Sequence, residues 1–327
     1  MAPQLIFGTA TFGMDMTEFQ DPESVKTILK TAQELGIQRL DTGARYPPRN
    51  PGRSEELIGE TKAFLSDGSS GGFTVDTKIY TNAQTDGSGD LTPEAVGVSI
   101  TASLKRLQRP EGVNVLYAHR ADPSTPLEDQ IKAFNQQIKD GRCKAWGVSN
   151  VAPEMLEEIL RICDEKGLQK PSCYQGDYNL ATRGMETRLL PILRAHGMSF
   201  NAFRALAAGF LTGRVAENQV AGTRFANDNP LGKAMQSLFG SEKLVAALKQ
   251  FNQEVSAHDL KPVEVAIRWI VFHSALSEQD GVLLGASRTE QLRDTVGMIR
   301  KGPLPTEVLK STEDFWLAVK DIRGSII

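Results

Sequence analysis

The sequence predicts an α/β protein whose eight parallel strands close into a barrel. Short runs rich in β-branched and aromatic residues alternate along the chain with amphipathic helical segments, and this alternation is typical of a parallel sheet with helical crossovers. Eight such units favour a (β/α)8 TIM barrel over an open, doubly wound sheet. No Gly-x-Gly-x-x-Gly follows the first strand, which argues against a Rossmann dinucleotide-binding unit.

The predicted elements alternate in order along the chain. The eight strands are expected at residues 5–10, 37–42, 73–78, 113–119, 144–150, 172–178, 198–203 and 281–286. The first helix is expected over residues 22–36, because Val25, Ile28, Leu29 and Leu35 share one helical face. Further helices are expected at residues 93–108, 153–167, 288–300 and 305–322.

Three segments depart from this alternation. Residues 215–240 form a long polar loop after the seventh strand, and long loops at the catalytic face of a barrel are usually functional. The segment 66–72 is rich in Ser and Gly, which indicates a flexible surface turn. Residues 305–322 add an extra C-terminal helix. Because barrels of this length form one domain, residues 1–327 are expected to be a single domain.

Composition limits the classes of function. The 327 residues are 40% hydrophobic and 24% charged, with a net charge of −3, so neither nucleic acid nor an anionic membrane is an expected partner. No signal peptide or transmembrane stretch is apparent in the sequence. Cys143, Cys163 and Cys173 are too scattered for a disulfide framework or a metal cluster. We expect buried free thiols, a reducing cytoplasmic location and no metal.

Four polar residues lie at or just past the ends of three successive predicted strands. They are Asp41, Tyr46, Lys78 and His119, and chemistry in parallel barrels is built at these strand ends. A nearby cation favours the charged form of a phenol, whose pKa is otherwise about 10. Each residue alone is more simply an ion-pair partner, a loop aromatic or a satisfied polar group. Together they favour proton transfer to a carbonyl oxygen, paired with a source of hydride.

Further residues are suited to an anionic, aromatic cofactor. Ser149, Asn150 and Gln175 offer a hydroxyl and two amides for a primary carboxamide, although Ser149 or Asn150 could simply cap a helix. Phe203 could lie flat on an aromatic ring or pack in the core. The small, Gly-bearing segment 204–214 could receive a diphosphate.

The last predicted strand leads into a second candidate anion site. Residues 285–293 run from this strand into a helix, and Arg288 lies within its first turn, where an anion is favoured. A solvated surface charge is the alternative for Arg288. The remaining histidines are expected to be structural, His196 and His258 at helix ends and His273 in an apolar helix.

Several motifs resemble one known family, the aldo-keto reductases, over essentially the whole chain. These motifs are LDTGARY (40–46), VDTK (75–78), LYAHRAD (116–122), WGVSN (146–150), YQGDYN (174–179) and LLGASRTEQL (283–292). Within that family the chain most resembles the aflatoxin-aldehyde reductase branch. The segments similar to that branch are METRLLPILR (185–194), LAAGFLTGR (206–214), AIRWIVFHSAL (266–276) and KGPLPTEV (301–308).

The resemblance implies an NADPH-dependent reductase. Tyr46 would be the acid, Lys78 and Asp41 would tune it, and His119 would orient the carbonyl. One departure is Thr295, where the family usually has Asn. The residues implied to bind NADPH or NADP+ are Asp41, Ser149, Asn150, Gln175, Phe203, Arg204, Ala205, Leu206, Gly209, Leu211, Gly213, Arg214, Arg224, Gly285, Ala286, Ser287, Arg288 and Gln291.

The substrate side departs from relatives that reduce carboxylate-bearing aldehydes. Those relatives carry basic residues in the long loop and at the C-terminus, whereas this chain has AMQSLF at 234–239 and GSII at 324–327. We therefore expect an uncharged, apolar or aromatic carbonyl substrate. The candidate walls of the pocket are Phe12, Tyr80, Met235, Leu238 and Trp316.

The sequence thus predicts a reductase of aldehydes or activated ketones with Tyr46 as general acid, acting on a small molecule as a monomer or homodimer. One alternative is a cofactor-binding regulatory subunit with residual reductase activity, which the intact set of four catalytic groups disfavours. Another is a barrel enzyme in which Lys78 forms a Schiff base. A charged Lys78 beside Asp41 disfavours that role.

Overall fold

The eight predicted strands form a closed parallel barrel in the computed structural model. The structure describes residues 2–62, 72–229 and 231–326. The strands pair in sequence order, and the first pairs with the last to close the sheet. The predicted (β/α)8 TIM barrel is therefore confirmed.

Each strand end lies within two residues of its predicted position, and most strands are slightly shorter than the sequence predicts. His119 and Asn150 lie just past their strands, in the loops of the barrel mouth. The strands are β1 (Gln4–Gly8), β2 (Arg39–Asp41), β3 (Thr74–Lys78), β4 (Val113–Ala118), β5 (Cys143–Ser149), β6 (Cys173–Asp177), β7 (Ser199–Phe203) and β8 (Gly281–Gly285).

Helices lie between the strands and cover the outside of the barrel. Four of them begin with Pro, whose fixed φ and missing N–H suit the first helical turn. The helices are α1 (Pro22–Glu34), α2 (Arg53–Thr61), α3 (Pro93–Leu107), α4 (Leu127–Lys139), α5 (Pro153–Lys166), α6 (Met185–Ala195), α7 (Gly232–Phe239), α8 (Glu242–Ser256), α9 (Pro262–Phe272), α10 (Thr289–Ile299) and α11 (Thr306–Arg323).

Two sequence expectations need correction here. Residues 215–240 are not one long loop, because α7 occupies the end of the segment and buries Met235 and Phe239. His273 is not inside an apolar helix, since α9 ends at Phe272 and the His273 Nε2 accepts a hydrogen bond of 2.8 Å from a backbone N–H. Of the predicted surface turn at 66–72, residues 66–71 lie outside the described residues.

The barrel interior is polar at several levels. Gln175 on β6 reaches Asp41 on β2 across the barrel, and Asn201 on β7 reaches the Tyr117 hydroxyl on β4 at 2.8 Å. Apolar side chains instead fill the layer between the strands and the surrounding helices. The barrel interior therefore contains a column of buried polar side chains, and the surrounding apolar layer separates these side chains from bulk water.

Three further findings concern the described part of the chain. Cys143, Cys163 and Cys173 are free and buried, and burial raises the pKa of their thiols to about 12, 11 and 11. No group of His, Cys, Asp and Glu side chains among the described residues is arranged to hold a metal ion. No helix in the described ranges is long and apolar enough to cross a membrane.

Candidate active site

A buried ion pair lies at the centre of the barrel mouth. Asp41 ends β2 and Lys78 ends β3, and the two strands pair directly. The Lys78 Nζ lies 2.6 Å from both carboxylate oxygens of Asp41 and donates a further hydrogen bond of 2.7 Å to the carbonyl oxygen of Thr42. The parallel strand ends thus place a fully paired ammonium inside the barrel.

The charge state of Lys78 follows from these contacts. Burial alone would lower the pKa of the ammonium, but Asp41 raises it, with a contribution from Tyr46, and the net pKa lies above its ordinary value. A buried charge is tolerated only when it is paired and hydrogen-bonded. Lys78 therefore remains a cation across the neutral pH range.

Tyr46 lies in the loop after β2, against this ion pair. The loop is held by a backbone hydrogen bond of 3.1 Å from Ala44 to Lys78, and the Lys78 Nζ lies 4.9 Å from the centre of the Tyr46 ring. Burial raises the pKa of the phenol, Lys78 opposes this, and the net direction is upward. Lys78 lowers the pKa of the phenol, as the sequence predicted, but burial raises it by more. The phenol therefore keeps its proton at neutral pH.

His119 follows β4 and completes the group. Its ring meets the Tyr46 ring edge-on, with 5.6 Å between the centroids. Burial lowers the pKa of the imidazole to about 3, and the charges of Lys78 and Arg45 add to this effect. The Nδ1 atom is buried without a hydrogen-bond partner among the described residues. A neutral imidazole can donate an N–H to a carbonyl oxygen without carrying a charge.

The three residues predicted to bind a carboxamide lie side by side. Ser149 and Gln175 are register partners on β5 and β6, and the Asn150 side chain donates to Ser149 Oγ and to the His119 carbonyl oxygen, both at 3.0 Å. Neither Ser149 nor Asn150 caps α5, whose N-cap is Ala152. The helix-capping alternative is therefore wrong. Gln175 is engaged with Asp41 rather than free.

A cluster of charge lies at the ends of β6 and β7, which we call the basic cluster: Arg204, Arg224, Arg323 and Asp177. Asp177 accepts from Arg204 at 2.9 Å and lies 3.7 Å from Arg323. The Arg224 side chain has no ion pair or hydrogen bond among the described residues, and burial followed by the charge of Arg204 lowers its pKa. Three cations against one carboxylate leave two positive charges unmatched.

The segment after β7 has an unusual backbone. Its Ala207–Thr212 stretch is a 3-10 turn in which Ala208 and Gly209 have left-handed φ angles of 58° and 102°. Ala207 is also left-handed, with a φ of 50°, and backbone N–H groups exposed in a turn of this kind can receive an anion. Phe203 lies beneath the Arg204 guanidinium, at 5.2 Å from the ring centre. Arg214 donates to the Ala221 carbonyl oxygen at 3.2 Å.

The turn from β8 into α10 is already hydrogen-bonded within the protein. The Gln291 Oε1 accepts from the N–H groups of Ser287 and Arg288 at 2.8 and 3.2 Å. A carboxylate oxygen of Glu18 accepts from the Thr289 N–H at 2.9 Å. The Arg288 side chain is exposed and has no ion pair within the described ranges.

The five predicted pocket residues fall into three groups by exposure. Phe12 and Met235 are buried in the hydrophobic core, so neither side chain is exposed as a pocket wall. Trp316 is partly buried and lies 5.5 Å from the Arg183 guanidinium. Tyr80 and Leu238 are 44% and 37% exposed, which leaves them available to a substrate.

Sequence reasoning missed three residues of the site. The Thr42 carbonyl oxygen contacts Lys78 and Asp177 contacts Arg204, both of which were predicted, and Arg323 in turn contacts Asp177. Thr42 and Asp177 end or follow strands, and that position could have drawn attention to them. Arg323 lies at the end of α11, and nothing in the local sequence connects it with β6.

The lowered pKa of His119 gives a prediction about stability. An unfolded histidine binds a proton below about pH 6.5, whereas the folded His119 resists protonation down to about pH 3. The unfolded state therefore binds more protons in that window, and stability is lost as the pH falls. We expect the Tm of His119→Gln to decrease less than the Tm of the parent protein when the pH is lowered from about 6.5 to about 4. Equal Tm losses in both proteins would contradict a neutral, buried His119.

Comparison with known proteins agrees with this geometry. A model of the Aldo/keto reductase family matches residues 4–316. Oxidoreductase sirO of Leptosphaeria maculans is 33% identical over 328 residues, which cover 98% of this chain and 95% of that protein. Aflatoxin B1 aldehyde reductase member 2 of Mus musculus is 32% identical over 326 residues, 97% and 85% of the two chains. A Putative voltage-gated potassium channel subunit beta of Schizosaccharomyces pombe is 30% identical over 319 residues, 94% and 87% of the two chains.

The match spans all eight strands and every one of the four residues at the barrel mouth, so the predicted resemblance is confirmed. This chain belongs to the aldo/keto reductase family, which makes it an oxidoreductase of carbonyl compounds.

Proposed function

We propose that this protein reduces aldehydes or activated ketones with NADPH, and that Tyr46 is the general acid. The observation that carries the proposal is the convergence of the Tyr46 phenol, the Lys78–Asp41 pair and a neutral His119 at the mouth of one barrel. Proton donation to a carbonyl oxygen needs this set: an acid, a cation to stabilise the resulting phenolate, and a neutral donor for orientation.

The charge states of the free protein suit reduction. Burial raises the pKa of Tyr46, so the phenol carries the proton that it must give. His119 is neutral and can donate an N–H to the same carbonyl oxygen. As the proton leaves Tyr46, the phenolate faces Lys78, whose charge Asp41 preserves. When bound, the nicotinamide supplies the hydride to the carbonyl carbon.

The residues present fit an anionic dinucleotide. The basic cluster holds two unmatched positive charges, and Arg224 is partly buried without a partner among the described residues. Burying an unpaired cation is costly, and a diphosphate at the 204–214 turn would remove that cost. Ser149, Asn150 and Gln175 would hold the carboxamide, and Phe203 would pack on the nicotinamide ring. Ser287, Arg288 and Gln291 would meet the adenosine 2′-phosphate.

Two alternative functions have less support than the reductase function. The similarity to a channel beta subunit favours a cofactor-binding regulatory protein as the second candidate, but all four groups needed for proton transfer are in place. The rate of NADPH oxidation by an aldehyde separates the two roles, because a regulatory subunit would show only residual turnover. A Schiff base on Lys78 would need a neutral amine, whereas Asp41 keeps Lys78 charged.

We further propose that residues 1–327 act as one domain on a small carbonyl compound, as a monomer or homodimer, without nucleic acid or membrane partners. The three buried free thiols are compatible with a reducing compartment such as the cytoplasm.

The role of Tyr46 can be tested by removing a single hydroxyl. Tyr46→Phe should lower kcat by roughly 10²–10⁴-fold, the usual worth of general acid catalysis, while the Kd of NADPH stays within about twofold. Tyr174→Phe is the matched control, because it removes a buried hydroxyl whose hydrogen bonds within the described residues are to the Val151 backbone. A Tyr46→Phe protein with near-parental kcat would eliminate Tyr46 as the acid.

Cofactor preference should depend on Arg288. An NADPH-specific site needs a cation for the 2′-phosphate, and Arg288 has no competing ion pair within the described chain. Arg288→Ala should weaken NADPH binding by about tenfold and leave NADH binding nearly unchanged, as measured by fluorescence titration. Arg293→Ala on the same helix is the control, since Arg293 pairs with Glu34. Equal losses of affinity for NADPH and NADH would mean that Arg288 does not bind the 2′-phosphate.

The substrate is proposed to be uncharged, because Tyr80 and Leu238 are the predicted pocket residues that remain exposed. 4-Isopropylbenzaldehyde should give a kcat/KM about ten- to a hundredfold above that of 4-carboxybenzaldehyde, since a carboxylate buried without a partner is penalised. The two substituents have similar shapes and little electronic effect on the carbonyl carbon, so the ratio reports mainly on the charge. Preference for the acid would refute the proposal and mean that a cation such as Arg45 or Arg224 supplies a partner.

A further inference from the structure

The helix α10 begins at a residue whose side chain cannot cap it. Its N-cap is Arg288, and a guanidinium has only donors, so it cannot accept from the first N–H groups of the helix. Other side chains supply the acceptors. The Gln291 Oε1 accepts from the N–H groups of Ser287 and Arg288. The Thr289 N–H donates at 2.9 Å to a carboxylate oxygen of Glu18, which lies 271 positions earlier in the chain.

The loop that carries Glu18 is tied to the same turn. This loop follows β1, and its Thr11 hydroxyl donates to the Ala286 carbonyl oxygen at 2.7 Å. The backbone N–H of Glu18 donates to the Ser287 carbonyl oxygen at 3.0 Å, and the adjacent Phe19 is fully buried. The exposed carboxylate of Glu18 is therefore held at the start of α10 by an anchored backbone.

Glu18 and Arg288 place opposite charges at one helix N-terminus. A phosphate monoester carries a charge of about −1.5 to −2 at neutral pH, so a 2′-phosphate beside α10 would be attracted by Arg288 and repelled by Glu18. It would also meet a Thr289 N–H that already has an acceptor. A ribose 2′-hydroxyl carries no charge, and a carboxylate can accept its O–H.

We propose that Glu18 is a specificity-determining residue, which lowers the affinity of the protein for the 2′-phosphate of NADPH and thereby narrows the preference for NADPH over NADH. The proposal rests on the proposed reductase function, in which Ser287, Arg288 and Gln291 meet the 2′-phosphate. Glu18 adds an opposing residue to that set. Arg288 favours NADPH, Glu18 disfavours it, and the two affinities lie closer together than Arg288 alone would make them.

The test begins with Glu18→Gln. Glutamine keeps the side-chain length and an acceptor for the Thr289 N–H, so α10 stays capped while the charge is removed. We expect the Kd of NADPH in a fluorescence titration to fall by about tenfold, because charges a few ångströms apart repel each other appreciably even at a surface. The Kd of NADH should stay within about twofold of the parent value.

The matched control is Glu290→Gln. Glu290 lies in the first turn of α10, so this change removes an equal charge from the same turn and leaves the Glu18 contact in place. Both Kd values should stay within about twofold of those of the parent.

Two nucleotide fragments isolate the adenosine end of the cofactor. Adenosine 2′,5′-bisphosphate and adenosine 5′-monophosphate differ only in the 2′-phosphate. In calorimetry, Glu18→Gln should bind the bisphosphate about tenfold more tightly than the parent does and the monophosphate equally well. This gain should shrink when the salt concentration is raised from about 0.05 M to about 0.5 M, since salt screens repulsion between exposed charges. A purely structural role of Glu18 would give no salt-dependent gain.

Glu18→Ala is the second variant, because it removes both the charge and the acceptor. It should gain at least as much affinity for the bisphosphate as Glu18→Gln does. Its Tm should decrease more than that of Glu18→Gln, since the Thr289 N–H then has no side-chain acceptor.

Two results would overturn the inference. The first is a change in the Kd of NADPH that equals the change in the Kd of NADH, including no change in either. The second is an equal gain in Glu290→Gln, which would assign the effect to the total charge near α10 and not to the Glu18 contact. Failure of the proposed function looks different, since the parent and every variant would then bind neither dinucleotide, and the inference would fall with it.

Discussion

The Lys78–Asp41 ion pair is the interaction on which the rest of the site depends. Taking an ammonium and a carboxylate out of water costs several kcal/mol per ion unless their hydrogen bonds are replaced. The barrel replaces them with the Thr42 carbonyl oxygen and the Gln175 amide. This requirement fixes the ends of β2, β3 and β6 relative to one another, and Tyr46 and His119 are placed against the resulting cation.

Burial shifts the pKa values of Tyr46 and His119, the two neighbours of Lys78, in opposite directions. Burial raises the pKa of Tyr46 and lowers that of His119, and Lys78 opposes the first shift while it strengthens the second. Both neighbours are consequently uncharged at neutral pH. Because Asp41 neutralises Lys78, the unmatched positive charge of the mouth lies in the basic cluster, which favours an anionic ligand.

Much of the site was predictable because a parallel barrel brings strand ends together. Once eight strands are recognised, the ends of β2, β3 and β4 must be adjacent, so Asp41, Lys78 and His119 follow from their positions. The burial of Phe12 and Met235 did not follow, since an apolar residue near a strand end can face either a pocket or the core. The net rise in the pKa of Tyr46 was also beyond the sequence, because desolvation depends on atoms from distant segments.

The sequence by itself determined the order of strands and helices, the barrel class and the residue types at each strand end, because local periodicity and turn chemistry encode them. Only the tertiary structure decided which partners those residues take. Gln175 meets Asp41 across 134 positions of sequence, and Arg323 reaches Asp177 from the last helix. Such contacts arise from barrel closure and helix packing, and no local pattern in the chain records them.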